Sequence, residues 1–175
     1  MTHGVRPPWP FPALNVGPTG VADVKKDPHY MAFRIVIDTR EQLPYGFQCE
    51  TVRAKLNAGD YSVEGWENKI AVERKSLKDF VGTVIHDRQR FNVELAKLQS
   101  YDFACIAVEA DLDQLLRGQY PADLRAVSQW SILGAALEIA IRYKIPVYWC
   151  GSRQAAGAFT EKYLRMCVRV GGGAE

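Results

Sequence analysis

Residues 70–76 read IAVERKS: three apolar side chains, Ile70, Ala71 and Val72, run without a break into Glu73, Arg74 and Lys75. A short unbroken apolar run reads as a strand covered on both faces, which requires a sheet with helices packed on each side. Charge in the last residues of such a strand is costly unless it is paired or coordinates something. Alternation along the strand sends Glu73 and Lys75 to one face and Arg74 to the other. The strand must therefore end at the rim of its sheet, with a carboxylate and an ammonium side by side.

Other segments supply the rest of that sheet. FRIVIDT (33–39) and FACIAVEA (103–110) read as buried strands, and IPVYWCG (145–151) as the last one. Residues 51–74 read as an antiparallel meander with strands near 51–56, 60–64 and 69–74, turning at Asn57–Ala58–Gly59 and at Gly65–Trp66–Glu67–Asn68. Helical spacing predicts helices over 76–85 (Leu77, Phe80, Val81, Val84) and 88–100 (Phe91, Leu95, Leu98), and DLDQLLRG predicts a short one closed by Gly118. A longer helix is expected over about 123–143, and a final one over about 153–169 with Ser152 as N-cap. The former is apolar around much of its circumference, as suits a helix buried against a sheet or a partner subunit. Trp130, Tyr143, Tyr148 and Trp149 read as core or dimer interface. The order predicts an α/β fold: a central mixed β-sheet flanked by helices on both faces.

The termini read differently. Residues 1–31 carry Pro7, Pro8, Pro10, Pro12, Pro18 and Pro28 with three glycines, the pattern of a Pro/Gly-rich flexible tail. Its Trp9, Phe11 and Leu14 could dock on the domain or on a partner. A flexible C-terminus is expected over 171–175, which leaves one domain over 32–170. No apolar run approaches the roughly 18 residues of a membrane span. Prolines also stand where a signal peptide needs an apolar helix. The four cysteines lack CxxC spacing and read as buried thiols of a reducing cytoplasm. With 22 basic and 20 acidic residues, net charge does not by itself imply a polyanionic partner, so that case rests on local clustering.

Two further segments bring acids to the same rim. IVIDTRE runs an apolar strand into Asp38, followed by Arg40 and Glu41, and NAGDY places Asp60 after a glycine turn. If those strands neighbour IAVERK, then Asp38, Asp60 and Glu73 converge with Lys75 beside them. Converging carboxylates repel, and a proton or a divalent cation relieves them. Oxygen ligands without His or Cys suit Mg²⁺ or Mn²⁺ and not zinc, and nothing calls for an organic cofactor. Such a cation activates water and stabilises charge on a phosphorane-like transition state, while Lys75 orients the water or neutralises a phosphate oxygen. These are the parts of metal-assisted phosphodiester hydrolysis.

The combination GD, twelve residues, ERK, three residues, Asp79, preceded by IDTRE, resembles the nuclease domain of the XPF family of excision-repair and junction endonucleases. DRQRFNVELAKL and IPVYWCG resemble its stand-alone bacterial and phage versions, and the likeness spans about residues 33–168. It implies a restriction-endonuclease-like core and an Mg²⁺- or Mn²⁺-dependent endodeoxyribonuclease acting in repair or recombination on fork, flap or junction DNA. It also implies a homodimer in the cytoplasm of a bacterial or phage-infected cell, associated with the nucleoid. Carried over, Asp60 and Glu73 become direct metal ligands, Asp38 a nearby or water-mediated one, and Lys75 the catalytic lysine. Arg40, Glu41, Arg74 and Asp79 support them. Eukaryotic and many archaeal members continue into tandem helix-hairpin-helix domains, which this sequence does not contain.

Plainer roles stand beside these. Ser76 and Asp79 form a capping-box pattern. Arg74 can pair with an acid and Glu41 with an arginine. Lys78, Arg88 and Arg90 read as phosphate contacts or as solvated helix faces. His86 reads as a surface histidine. The alternative function is a non-catalytic DNA-binding or scaffold subunit that activates a partner nuclease. Members of that kind typically lose the acids, and here all of them are present.

Overall fold

The structure, a computed structural model, describes residues 33–85, 87–124 and 126–172. The tail expected over 1–31, His86 and the last three residues lie outside the described residues. Six strands form one sheet in the order β2-β1-β3-β4-β5-β6. They are β1 (Arg34–Asp38), β2 (Glu50–Ala54), β3 (Tyr61–Val63), β4 (Ile70–Ser76), β5 (Phe103–Glu109) and β6 (Val147–Trp149). β3 is antiparallel to β1 and β4, whereas β1–β2, β4–β5 and β5–β6 are parallel. The helices are α1 (Leu77–Ile85), α2 (Arg88–Leu98), α3 (Leu112–Leu116), α4 (Gln129–Tyr143) and α5 (Arg153–Gly172). The result is the expected mixed sheet with helices on both faces.

Each face has its own core. On one side Ala71, Ile106 and Val108 meet Phe80, Phe91, Leu95 and Ile132 of α1, α2 and α4. On the other, Ile35, Tyr61, Ile70, Val72 and Cys105 meet Ala156, Leu164 and Cys167 of α5. Ile70, Ala71 and Val72 are all fully buried, which is the two-sided cover that their apolar run requires. Burying each of Ile70 and Val72 stabilises the fold by about 1.5–3 kcal/mol relative to exposure. Among the described residues no helix is long and apolar enough to cross a membrane.

Three local expectations are corrected. The strand near 51–56 is not part of a meander: β2 lies on the far side of β1 and runs parallel to it. Residues 39–49 make that crossover, and they cover the sheet with Tyr45 and Phe47, whose rings lie 5.1 and 5.2 Å from Tyr61. A parallel connection needs such a cover, usually a helix. Gly157 of α5 packs so tightly on it that a Cβ there would meet Tyr45 at 3.3 Å.

The helix expected from residue 123 starts instead at Gln129. A 3-10 turn (Ala122–Leu124) buries Leu124, and Ser128 then caps α4 by accepting from the Trp130 N–H. The last strand keeps only Val147–Trp149 at the sheet edge, while α5 continues to Gly172, three residues beyond its expected end.

Candidate active site

Gly59 sets up the site. Its φ is +75°, and a Cβ there would stand 3.1 Å from the Val72 carbonyl oxygen and 3.2 Å from the Ala71 Cβ. Only glycine takes that sharp turn against β4 without strain, and the turn delivers Asp60. The Asp60 N–H donates to the Val72 carbonyl and the Asp38 N–H to the Asp60 carbonyl, both at 2.9 Å. Tyr61 faces both Ile37 and Val72, so one step further along the ladder Asp60 stands between Asp38 and Glu73. By strand alternation these three acids and Lys75 share the face covered by α1, α2 and α4.

Their carboxylates are in different states. Asp38, 1% exposed, is engaged throughout: Oδ1 accepts from Arg40 N (2.8 Å) and Nε (2.6 Å), and Oδ2 from Leu56 N (2.6 Å) and Arg40 Nη2 (3.2 Å). Burial pushes Asp38 upward, but the Arg40 and Leu56 hydrogen bonds outweigh it and hold the carboxyl below its ordinary value. Arg40 also donates to the Leu56 carbonyl, so the pair clamps the segment that leads into the Gly59 turn.

Asp60 keeps more of its acceptor capacity. Its Oδ2 takes the Arg74 main-chain N–H at 2.8 Å, while burial and the neighbouring Glu73 push its pKa up to about 8. Burial also raises Glu73, with Lys75 opposing it. Lys75 Nζ stands 2.7 Å from Glu73 Oε1 and 5.4 Å over the Phe91 ring. Burial disfavours its charge, but Glu73 outweighs that and raises it. Two half-buried carboxylates thus face each other across adjacent strands with one ammonium between them and the helices. Among the described residues no three His, Cys, Asp or Glu side chains form a ready cation cage.

Arg74 points to the opposite face, as strand alternation requires. Its Nε lies 2.7 Å from Glu109 Oε1 and its Nη1 3.4 Å from Glu41 Oε2, with the guanidinium over Tyr45 at 5.6 Å. Glu41 accepts the Leu43 N–H at 2.7 Å. Arg153 completes the cluster from α5, with Nη1 3.2 Å from Glu109 Oε1, Nη2 bonded to the Pro44 carbonyl at 2.9 Å, and its guanidinium 5.1 Å from the Tyr45 ring. Glu41 and Arg74 are therefore joined behind the acids and brace the crossover segment. Asp79 is a capping residue: Ser76 Oγ donates to Asp79 Oδ2 at 2.6 Å and accepts the Asp79 N–H at 3.1 Å.

The basic residues divide. Lys78 pairs with Asp123 at 3.1 Å, and Arg88 pairs with Glu138, which also holds Arg142. Arg90 forms no ion pair among the described residues and lines a cleft of about 850 Å³ between α1, α2 and the segment of Asp123, Leu124, Ala126 and Val127. Lys75 and Glu94 line the same cleft. Along α4, Trp130, Leu137 and Ile141 are 64, 51 and 68% exposed and form an apolar stripe facing away from the core.

Sequence reasoning overlooked Glu109, Arg153 and Glu94. Glu109 carries the same signature as Glu73, an apolar strand running into an acid. Glu94 is legible only once Phe91 and Leu95 fix which side of α2 is inward. Arg153, at the start of a helix, gave no signal.

XPF from Aeropyrum pernix has a TM-score of 0.62 at 21% identity, covering 78% of this chain and 65% of that one. The same protein in complex with DNA gives the same score and identity, covering 78% and 66%. The chain thus spans just under two thirds of the length of these structures, and the likeness shows that the fold is the restriction-endonuclease-like one. No curated protein matches the sequence. The ERCC4 domain model matches residues 37–163, a span that takes in Asp38, Asp60, Glu73, Lys75 and the whole Arg74 cluster. The chain therefore belongs to the ERCC4 domain family.

Proposed function

We propose that this protein is a divalent-metal-dependent DNA endonuclease that hydrolyses phosphodiester bonds, with fork, flap or junction DNA as its preferred substrate in repair or recombination. The observation that carries the reading is the opposition of Asp60 and Glu73 on one face, with Lys75 2.7 Å from Glu73. Membership of the ERCC4 domain family supports it, and the DNA complex of the archaeal XPF supports DNA as the partner.

An oxygen-only donor pair that is partly desolvated and mutually repelling fits Mg²⁺ or Mn²⁺. Asp60 and Glu73 would hold the ion directly. Asp38, its oxygens engaged by Arg40 and Leu56, stands behind and acts through water. The bound ion supplies an activated water and a counter-charge for the transition state. Lys75 neutralises a phosphate oxygen or orients the attacking water. Arg40, Glu41 and Arg74 keep the acids in register, and Asp79 fixes the start of α1 just beyond Lys75. Arg90, with Lys78 and Arg88 once released from Asp123 and Glu138, contacts phosphates. The α4 stripe suits a second copy of the chain, so the working form is a homodimer. The setting is the cytoplasm of a bacterial or phage-infected cell, at the nucleoid.

The test is a panel of labelled linear, flap, fork and four-way DNAs with Mg²⁺, Mn²⁺ or EDTA. Cleavage of the branched substrates with either metal and none in EDTA is expected. Equal cleavage of all substrates removes the structure preference, and no cleavage under any condition removes the nuclease reading.

Proton linkage provides a second check. The folded protein keeps a proton on Asp60 between the ordinary carboxylate value of 3.8 and about 8, a proton the unfolded chain has lost. Metal-free stability therefore falls as pH rises through that window. A cation competes with this proton, so Mn²⁺ should raise Tm more at pH 8 than at pH 6. An equal rise at both values would disconnect the ion from Asp60.

A further inference from the structure

We infer that Glu94 is a positioning residue for Lys75: it takes over the ammonium when a cation engages Glu73. This rests on the reading of Asp60 and Glu73 as cation ligands. Among the described residues the Lys75 ammonium pairs with Glu73 Oε1 alone, at 2.7 Å, and its side chain is only 15% exposed. A divalent ion on Glu73 withdraws that carboxylate and places positive charge beside the ammonium. A partly buried ammonium whose partner is withdrawn is strongly disfavoured unless another acceptor is in reach.

The surroundings leave Glu94 as that acceptor. It lies one turn along α2 from Phe91, the ring under Lys75 Nζ, and residues three apart on a helix are neighbours on its surface. It is half-buried, lines the same cleft as Lys75, and acts electrostatically on both Lys75 and Glu73. Its carboxylate has no hydrogen bond or ion pair among the described residues. Of the other cleft acids, Asp79 is committed to Ser76 and the α1 N-terminus and Asp123 to Lys78, while Asp87 is exposed at the start of α2, on the far side of Phe91 from the half-buried Glu94. The four-carbon lysine stem lets Nζ swing from one carboxylate to the other without moving β4. The ammonium then points into the cleft and no longer at Glu73.

The test is a double-mutant cycle read by calorimetry of Mn²⁺ binding to the full chain, without DNA. Glu94→Gln keeps size and polarity and removes the charge, and thermal melts check that each variant is folded. Glu94→Gln should weaken Mn²⁺ binding about fivefold, the upper end for one ion pair at a partly exposed position. In a Lys75→Met background the same substitution should change nothing, because no ammonium needs a new partner. Equal weakening in both backgrounds would make Glu94 a cation ligand and overturn the proposal. No weakening in the Lys75 background would overturn it as well. If the unmodified protein bound no Mn²⁺, the cation reading would fail first and this inference with it.

Discussion

Glu73→Gln should reduce DNA cleavage by about a thousandfold while leaving the protein folded and able to bind DNA. The substitution keeps the shape of the side chain and its hydrogen-bonding reach, so neither α2 nor β4 has reason to move. It removes the charge that would hold a cation with Asp60 and the partner that holds Lys75 at 2.7 Å. Transition-state stabilisation and the placement of the ammonium are lost together. Stability should change far less. Asp60 is raised to about 8 by burial and by Glu73, so deleting one of two facing charges relieves the other. Lys75 loses its 2.7 Å partner at the same time, so the two effects oppose one another and, in the absence of metal, Tm at pH 8 should stay within a few degrees of the parent. Single-turnover cleavage of a labelled fork, a binding titration and a thermal melt read all three quantities. Cleavage and binding both indifferent to the substitution would show that the chemistry lies elsewhere, on this chain or, as the scaffold alternative requires, on a partner nuclease.

Arg74→Met has the opposite profile. The guanidinium sits behind the acids, between Glu109 and Glu41, with 16% of its side chain exposed. Methionine fills much of the volume but leaves the poorly solvated carboxylates of Glu41 and Glu109 without the guanidinium that joins them. Removing one partner of a buried pair costs about 3–5 kcal/mol. The lower end applies here, because Arg153 still reaches Glu109 at 3.2 Å. Urea denaturation should show a loss near 3 kcal/mol, with cleavage reduced far less than by Glu73→Gln when measured below the transition. The Asp60 contact comes from the Arg74 main chain, which the substitution preserves. A variant as stable as the parent would mean that the cluster is solvated in solution.

Much of this was legible in the residues. The apolar runs at 35–37 and 70–72 specified strands with two covered faces, and strand alternation placed Arg74 apart from Glu73 and Lys75. Gly59 before Asp60 marked a turn that the backbone takes at positive φ. Other features were hidden, because periodicity reports which way a residue faces and not which strand it pairs with. Nothing in 50–54 distinguishes an edge strand parallel to β1 from a meander strand, since the crossover cover is formed by Tyr45 and Phe47 from a segment with no helical pattern. The helix start at Gln129 was obscured for a related reason: Leu124 and Val127 continue the apolar spacing while the backbone has not yet become helical. The Glu41–Arg74–Glu109–Arg153 cluster joins four segments across more than 100 residues, a distance over which local pattern carries no information.

The pairing of β3 with β4 also bears on how the chain folds. It is the only hairpin of the described sheet: Tyr61 meets Val72, eleven positions later. By contrast, Arg34 meets Glu50 and Ile70 meets Phe103. The entropy lost on closing a loop grows with its length, so this contact is the most accessible one to an unfolded chain. Two mutually repelling side chains thus sit on the segment best placed to nucleate, and an ion present at that moment would ease collapse as well as turnover.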